Sequence, residues 1–259
     1  QYFDDRLADT LVQIHQHGIG DLEVQITRNI IEPFKIVNDI CHNDLTSASY
    51  YGKANHNSNA NSIEITFGHS KKHREDLKQL IWSMSVSGDC AFPLFQQAYS
   101  GNKADVSTYV EQWMNLIDLL DRKDFLYVAD CKLISKANVA AICDNGGFFL
   151  APAPMYESYA NPFEKALDDH DHELLIPYKD KFNRGLEAPV SNEHEGKVYA
   201  LRMIILFDHW VGRTKRKGLD RRISKTRKAF EELDTKLNRS NLKISDAIEK
   251  ACDAILKEY

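Results

Sequence analysis

Two apolar segments of the chain each reach an aspartate and then turn polar. The first runs from Ile36 to Asp44 and the second from Phe125 to Asp130. Their residue types favour extended backbone, so both are predicted as strands. A helix is predicted over 105–120, because apolar residues recur there at helical spacing. If this helix is the crossover that makes the two strands parallel neighbours, both carboxylates lie at one edge of a sheet.

The rest of the chain alternates extended and helical patterns. Helical spacing also occurs over residues 2–17 and in a segment that begins at Asp21. Further strands are predicted over 63–67, 77–86, 148–150 and 197–207, and further helices over about 136–143, from about 219, and around 248–255. A polar stretch with several prolines follows residue 151. This order of elements predicts an α/β fold with a mixed sheet.

Paired carboxylates at a sheet edge suit a divalent cation. Hard cations prefer oxygen ligands, and two such ions can stabilise the attacking and leaving oxygens of a phosphoryl transfer. Asp44 and Asp130 are therefore candidate metal ligands. The spacing alone leaves a second interpretation open, in which both aspartates end strands and cap turns. His42 is interpreted as a packed or hydrogen-bonded histidine and not as a ligand.

Four sequence blocks around these aspartates resemble the motifs of DDE transposases of bacterial insertion sequences. In chain order they are Asn43–Gly52 around Asp44, Phe67–Gln79, Tyr99–Asn102 with Asp105, and Tyr127–Leu133 around Asp130. The second block reads Phe-Gly-His-Ser-Lys-Lys-His-Arg-Glu-Asp-Leu-Lys-Gln. The blocks fall within residues 36–140, and a weaker similarity continues over 199–238.

The resemblance implies a fold and a metal centre. The fold is a ribonuclease H-like mixed sheet with flanking helices, plus an inserted strand and a basic helical region. The metal centre holds two Mg²⁺ ions, with Mn²⁺ as a substitute, in an Asp-Asp-Glu triad whose first two members are Asp44 and Asp130. These two aspartates are thus expected to be both catalytic and metal-binding.

The third acid of that family has no counterpart signature before Tyr259. We therefore expect that the chain stops before this acid, binds Mg²⁺ weakly and does not cut DNA alone. Five downstream glutamates are interpreted as solvated: Glu193, Glu195, Glu231, Glu232 and Glu249. The resemblance divides the chain into a helical lead-in over 1–34, a catalytic core over 35–151 and an insertion region over 152–259.

Positive charge is concentrated in one segment. Residues 213–228 contain nine Lys or Arg and one Asp, so the net charge of −5 combines +8 there with −13 elsewhere. A polyanion would meet this basic segment first. DNA contacts are predicted for Lys71, Lys72, His73, Arg74, Arg213, Lys215, Arg216, Lys217, Arg221 and Arg222. The alternative is that both clusters are solvated, one as a hairpin turn and one as a helix face.

These features predict a transposase that cleaves and transfers DNA strands at the ends of an insertion sequence. The expected partner is double-stranded DNA, both terminal repeats and target, bound by a homodimer. Two alternatives stay open, an inactive DNA-binding remnant and another ribonuclease H-like nuclease that acts on RNA or branched DNA. No apolar run is long enough to span a membrane, and the five cysteines form no C-x-x-C pair. Scattered cysteines of this kind suit a cytoplasmic protein, and the resemblance implies a nucleoid-associated protein of a bacterium or archaeon.

Overall fold

The computed structural model describes residues 4–52, 63–69, 74, 76–169, 173–178, 181–207, 209–237 and 245–258. Its elements, in chain order, are α1 Asp4–His17, α2 Ile19–Ile31, β1 Ile40–Tyr50, β2 Lys78–Ser87, β3 Pro93–Ser100, α3 Asp105–Leu120, β4 Leu126–Val128, α4 Lys136–Asp144, β5 Phe148–Leu150, α5 Glu157–Asp169, β6 Glu173–Tyr178, β7 Lys181–His194, β8 Lys197–Leu206, α6 His209–Asp234 and α7 Ser245–Glu258. A single turn of 3₁₀ helix, Cys131–Leu133, follows β4.

Five strands form a mixed sheet in the order β3-β2-β1-β4-β5. β2 is antiparallel to β1 and to β3, whereas β1 is parallel to β4 and β4 to β5. One strand therefore runs against the other four, which is the ribonuclease H-like arrangement. The predicted fold class is confirmed. The helix α3 connects β3 to β4, as the crossover argument requires.

One face of this sheet packs against α3. Tyr109, Trp113 and Leu116 on that helix are fully buried, and they form one apolar cluster with Leu45 of β1 and Tyr127 of β4. The three helical residues follow the spacing of 3 to 4 that places side chains on one helix face. Burial of side chains of this size stabilises the fold by about 1.5–3 kcal/mol each.

The opposite face of the sheet is more exposed. Asp44 lies there, and its direct partner on β2 is Met84. Trp82 on the same face is 40% exposed, and Phe148 and Leu150 of β5 are more exposed still. The first candidate acid therefore projects from a sheet surface that is accessible and largely apolar.

A row of buried polar side chains fixes how β1 pairs with β2. Asn43 donates from Nδ2 to Ser83 Oγ at 2.9 Å and to Ser85 Oγ at 3.0 Å. All three side chains are buried. A one-residue slip of either strand would turn these groups to the other face and leave them without their partners. Because Asp44 follows Asn43 directly, the same hydrogen bonds set the position of the acid.

The chain divides into two compact units, residues 1–162 with 189–202 and residues 163–188 with 203–259. The strands β6, β7 and β8 form a second sheet in that order, and β6 is antiparallel to β7. In the second unit, α6 and α7 contact each other along an apolar groove. The groove is lined by Leu219, Arg222, Ile223, Thr226, Arg227, Phe230 and Leu256.

Two strand predictions for the first unit are wrong. Residues 63–67 form no strand, and only Thr66 pairs, in an isolated bridge with Gln79. β3, which the sequence pattern did not reveal, supplies the third strand of the sheet. β1 begins at Ile40 and runs past Asp44 to Tyr50, so this aspartate does not end its strand.

Two predictions for the rest of the chain also differ from the structure. The proline-containing stretch after residue 151 forms α5, β6 and β7, so the inserted region holds three strands and not one. The basic helix begins at His209, ten residues earlier than expected. Along this helix Ile223 is 51% exposed, whereas Phe230 and Leu233 are half-buried.

Candidate active site

Asp44 lies in the interior of β1. The strand pairs with β2 on both sides of it, since Asn43 is opposite Ser85 and Leu45 is opposite Ser83. The carboxylate is exposed, and its Oδ1 accepts the backbone N–H of Leu45 at 2.8 Å. The turn-capping interpretation is therefore wrong for this residue.

Asp130 follows the last residues of β4 and is half-buried. Its backbone is extended, with φ −74° and ψ 176°, and it is the N-cap of the 3₁₀ turn. Oδ1 accepts the backbone N–H of Lys132 at 2.9 Å and the hydroxyl of Tyr109 at 2.6 Å. This aspartate does cap a turn, as one interpretation held, and it is also fixed by a residue of α3.

The parallel pairing of β1 and β4 places the two aspartates in equivalent positions. Paired residues on these strands are 86 apart in sequence, as His42 and Val128 are. Asp44 and Asp130 are separated by the same number. Ala129 still donates its N–H to the Leu150 carbonyl at 3.1 Å, so extended backbone continues to the second aspartate. The pairing of β1 with β4 ends at His42 and Val128, and the same register extended by two residues sets Asp44 opposite Asp130.

The chemistry of this donor set fits a hard divalent cation. Among the described residues, the hydrogen bonds of both carboxylates involve Oδ1, which leaves each Oδ2 for a ligand. Mg²⁺ commonly takes one or two carboxylates and completes its shell with water and phosphate oxygens. Within the described ranges, no cluster of three His, Cys, Asp or Glu side chains could hold a metal. The five downstream glutamates are all exposed, as expected for solvated residues.

His42 shares the exposed face of β1 with Asp44. Its side chain is exposed, so the expectation that it is packed is wrong, and the alternative that it is hydrogen-bonded and not a ligand stays a prediction. Alternation along the strand explains the error, because the buried face of β1 is taken by Cys41, Asn43 and Leu45.

Burial keeps the protonatable groups beneath the site neutral. It raises the pKa of the Cys41 thiol to about 12 and the pKa of the Tyr127 hydroxyl well above its ordinary value. Both groups therefore stay protonated at neutral pH. Neither competes with the two carboxylates as a charged ligand or as a nucleophile.

The block Phe67–Gln79 has a packing role at two of its positions. Gln79 is buried, and its Nε2 donates to the carbonyls of Gly101 at 2.9 Å and His69 at 3.3 Å. A Cβ on Gly68 would lie 1.9 Å from Gly101 O, and one on Gly101 would lie 2.1 Å from Gln79 O. Only glycine fits where backbones approach so closely. These motif residues hold a loop against the sheet.

The first group of predicted DNA contacts lies mostly outside the described residues. Lys71, Lys72 and His73 fall there, and only Arg74 is described. Its guanidinium donates to both carboxylate oxygens of Asp76, each at 2.8 Å, and this lowers the pKa of Asp76. The positive charge of Arg74 is therefore partly neutralised by its neighbour, which weakens the case for a phosphate contact at this residue.

The second group of predicted contacts lies on α6. All six side chains of this group are exposed: Arg213, Lys215, Arg216, Lys217, Arg221 and Arg222. At about 100° per residue, Lys217 and Arg221 lie on the side of the helix opposite Leu219. The helix thus carries a cationic face and, on its other side, the apolar groove that it shares with α7.

Sequence reasoning missed Tyr109 as a residue of the site. In the sequence it is one of several apolar residues at helical spacing in α3, and no local pattern distinguishes it from its neighbours. Its proximity to Asp130 depends on how α3 crosses the sheet, which is a tertiary property.

Comparison with known proteins gives matches at the level of structure only. No protein-family model and no curated protein matches the chain. Two solved structures of Mos1 transposase resemble it, a paired-end complex with the left transposon end and a mariner paired-end complex with Mn. Their TM-scores are 0.31 and 0.30 at 11% and 12% identity, over 58% of this chain. The match spans 46% of the length of the Mos1 chain.

A third similar structure is endonuclease V of Ciona intestinalis in complex with a 23mer DNA that contains an inosine. The TM-score is 0.22 at 9% identity, over 71% of this chain and 78% of the endonuclease. In the described part of the chain, no helix combines the length and apolar character that crossing a membrane requires.

Proposed function

We propose that the chain is the catalytic core of a DDE-type transposase of the bacterial insertion-sequence kind. It would cleave and transfer DNA strands with Mg²⁺, or Mn²⁺ in its place, bound by Asp44 and Asp130. The observation that carries this proposal is the parallel register of β1 and β4, which aligns Asp44 on β1 with Asp130, two residues beyond the end of β4. Both belong to sequence blocks that resemble the two aspartate motifs of that family.

Each residue has a distinct role in this proposal. A bound divalent ion supplies charge stabilisation for the attacking water or DNA 3′-hydroxyl and for the leaving oxygen. Asp44 offers an exposed carboxylate whose place is set by the β1–β2 register. Asp130 offers Oδ2 while Oδ1 is held by Tyr109 and Lys132. The cations of α6 would bind the phosphate backbone of double-stranded DNA, in a homodimer that holds two DNA ends.

One observation favours a narrower alternative for the chain in isolation. In the described residues no third carboxylate joins Asp44 and Asp130. We therefore infer that, within the described residues, Asp44 and Asp130 hold the metal without a third acid, which favours an inactive DNA-binding remnant. Metal-dependent cleavage of labelled DNA that disappears in Asp44→Ala would overturn this inference. Cleavage of RNA–DNA hybrids without preference for DNA ends would instead favour another ribonuclease H-like nuclease.

The metal centre itself is tested by Mn²⁺ titration followed by electron paramagnetic resonance. Asp44→Asn and Asp130→Asn each remove one charged ligand, and each is expected to weaken Mn²⁺ binding by at least about tenfold, since even outer partners of metal ligands have effects of that size. Asp118→Asn, an exposed aspartate on α3, is the matched control and should bind as the unchanged protein does. Equal Mn²⁺ affinity in all four proteins would refute the proposed metal centre.

A further inference from the structure

We propose that Tyr109 is a positioning residue for Asp130, which orients the carboxylate so that Oδ2 is directed to the metal. This inference rests on the proposed function, because it assumes that Asp130 is a metal ligand. Tyr109 itself would touch neither metal nor DNA, since its side chain is fully buried.

The hydrogen bond between the two side chains is short. The Tyr109 hydroxyl lies 2.6 Å from Asp130 Oδ1, in the range of an O–H donor to an ionised carboxylate. The N–H of Lys132 reaches the same oxygen at 2.9 Å. Two donors from different elements therefore hold one oxygen, and the direction of the second oxygen is fixed as a consequence.

The core holds the donor in place. Tyr109 belongs to the apolar cluster beneath the sheet, and its carbonyl accepts the Tyr127 hydroxyl at 3.2 Å. That hydrogen bond connects α3 to β4 at a residue three positions before Asp130. A hydroxyl on a packed aromatic ring has little freedom to rotate away, so it can orient the carboxylate before metal arrives.

A purely structural role predicts a different result. A buried tyrosine needs a partner for its hydroxyl, and Asp130 could serve only that need. Loss of the hydroxyl would then lower stability and leave metal affinity unchanged. Tyr99 provides the comparison, because its buried hydroxyl lies in the same core but accepts from Gln112 Nε2 at 2.7 Å instead of donating to the acid.

The test compares Tyr109→Phe with Tyr99→Phe in Mn²⁺ titration and thermal unfolding of the full chain. Both variants lose one buried hydroxyl and should unfold at somewhat lower temperature. Tyr109→Phe is expected to weaken Mn²⁺ binding by about tenfold, as outer partners of metal ligands do. Tyr99→Phe should bind as the unchanged protein does. Tyr109→Met, which also lacks the donor, replaces Tyr109→Phe if that variant does not fold.

The outcomes separate this inference from the proposed function. If Asp44→Asn and Asp130→Asn weaken Mn²⁺ binding but Tyr109→Phe does not, the positioning role is overturned and the metal centre stands. An equal loss of affinity in Tyr99→Phe would also overturn it, because the effect would then belong to the core in general. If neither aspartate variant changes the affinity, the proposed function fails.

Discussion

The two candidate acids are held in different ways. Asp130 receives hydrogen bonds from Tyr109 on α3 and from the backbone of Lys132. Asp44 depends on the strand in which it lies, and that strand is fixed by the hydrogen bonds of the neighbouring Asn43. One acid is thus oriented by a direct donor and the other by strand register. A loss of register would displace Asp44 and leave the hydrogen bonds of Asp130 intact.

A third aspartate, Asp89, stabilises the turn between β2 and β3. Its carboxylate accepts the Ser87 hydroxyl at 2.8 Å and the Cys90 N–H at 2.7 Å, and the Val37 N–H donates to it at 3.3 Å. The hydroxyl of Ser87 and then the N–H of Cys90 lower the pKa of Asp89 from 3.8 to about 2. These donors prefer the ionised form, so the contribution of Asp89 to stability must depend on pH.

We predict that Asp89→Asn lowers the free energy of unfolding at neutral pH and that this deficit shrinks in acid. The carboxylate stabilises the folded state fully above its unfolded pKa of 3.8, and this stabilisation is lost as the pH falls towards about 2. Urea unfolding of both proteins from pH 7 to pH 3 measures the deficit. A deficit that stays constant over this range would show that the loss comes from packing and not from charge.

At the scale of elements, the sequence predicted helices and strands correctly where the local spacing of apolar residues matches the side chains that are buried in the fold. α3 follows a helical apolar spacing, and its Tyr109, Trp113 and Leu116 are fully buried. Residues 63–67 alternate like a strand, yet Ile63 and Phe67 are both exposed. β3 was missed because Pro93 and two glutamines disturb its alternation, although the strand lies at the edge of the sheet. A proline is tolerated at the start of an edge strand, where its missing N–H costs no ladder bond.

The close contact between α3 and the start of β5 gives a second prediction. A Cβ on Gly147 would lie 2.3 Å from Cζ2 of Trp113 and 2.9 Å from Cγ2 of Ile142. Gly147→Ala should therefore destabilise the first unit by about 1–3 kcal/mol through overpacking. Gly20→Ala in α2 meets no atom within 4 Å and should be neutral or slightly stabilising. Chemical denaturation measures both, and equal stabilities would contradict the close packing.

In the candidate site, too, local sequence indicates some residues, and only the tertiary fold reveals the others. Asp44 and Asp130 could be proposed from sequence, because each lies in an extended apolar run within a recognisable block. Tyr109 could not, since only the crossing of α3 brings it to Asp130. The interior position of Asp44 was also missed, because its strand continues through polar residues that pair with β2. Pairing partners decide where a strand ends, and a single segment does not reveal them.

At the scale of the whole molecule, charge is separated between regions of the chain. The segment 213–228 carries +8, whereas the remainder carries −13. The excess of acid elsewhere repels a polyanion, so DNA binding should depend on α6 and on salt. Lys217 and Arg221 are exposed on the side of α6 away from its groove with α7, which leaves them accessible to a phosphate backbone without disturbing the apolar contact.

Reversal of these two charges tests the DNA interface. Each lost phosphate contact lowers the salt slope of the binding constant by about 1, so Lys217→Glu with Arg221→Glu should reduce the slope by about 2 and weaken binding. Lys250→Glu with Lys257→Glu on α7 changes the net charge by the same amount at two other exposed positions. Fluorescence anisotropy with a labelled duplex at several salt concentrations gives both slopes. If both double variants change the slope equally, the effect is one of net charge, and α6 is a solvated helix and not a DNA-binding surface.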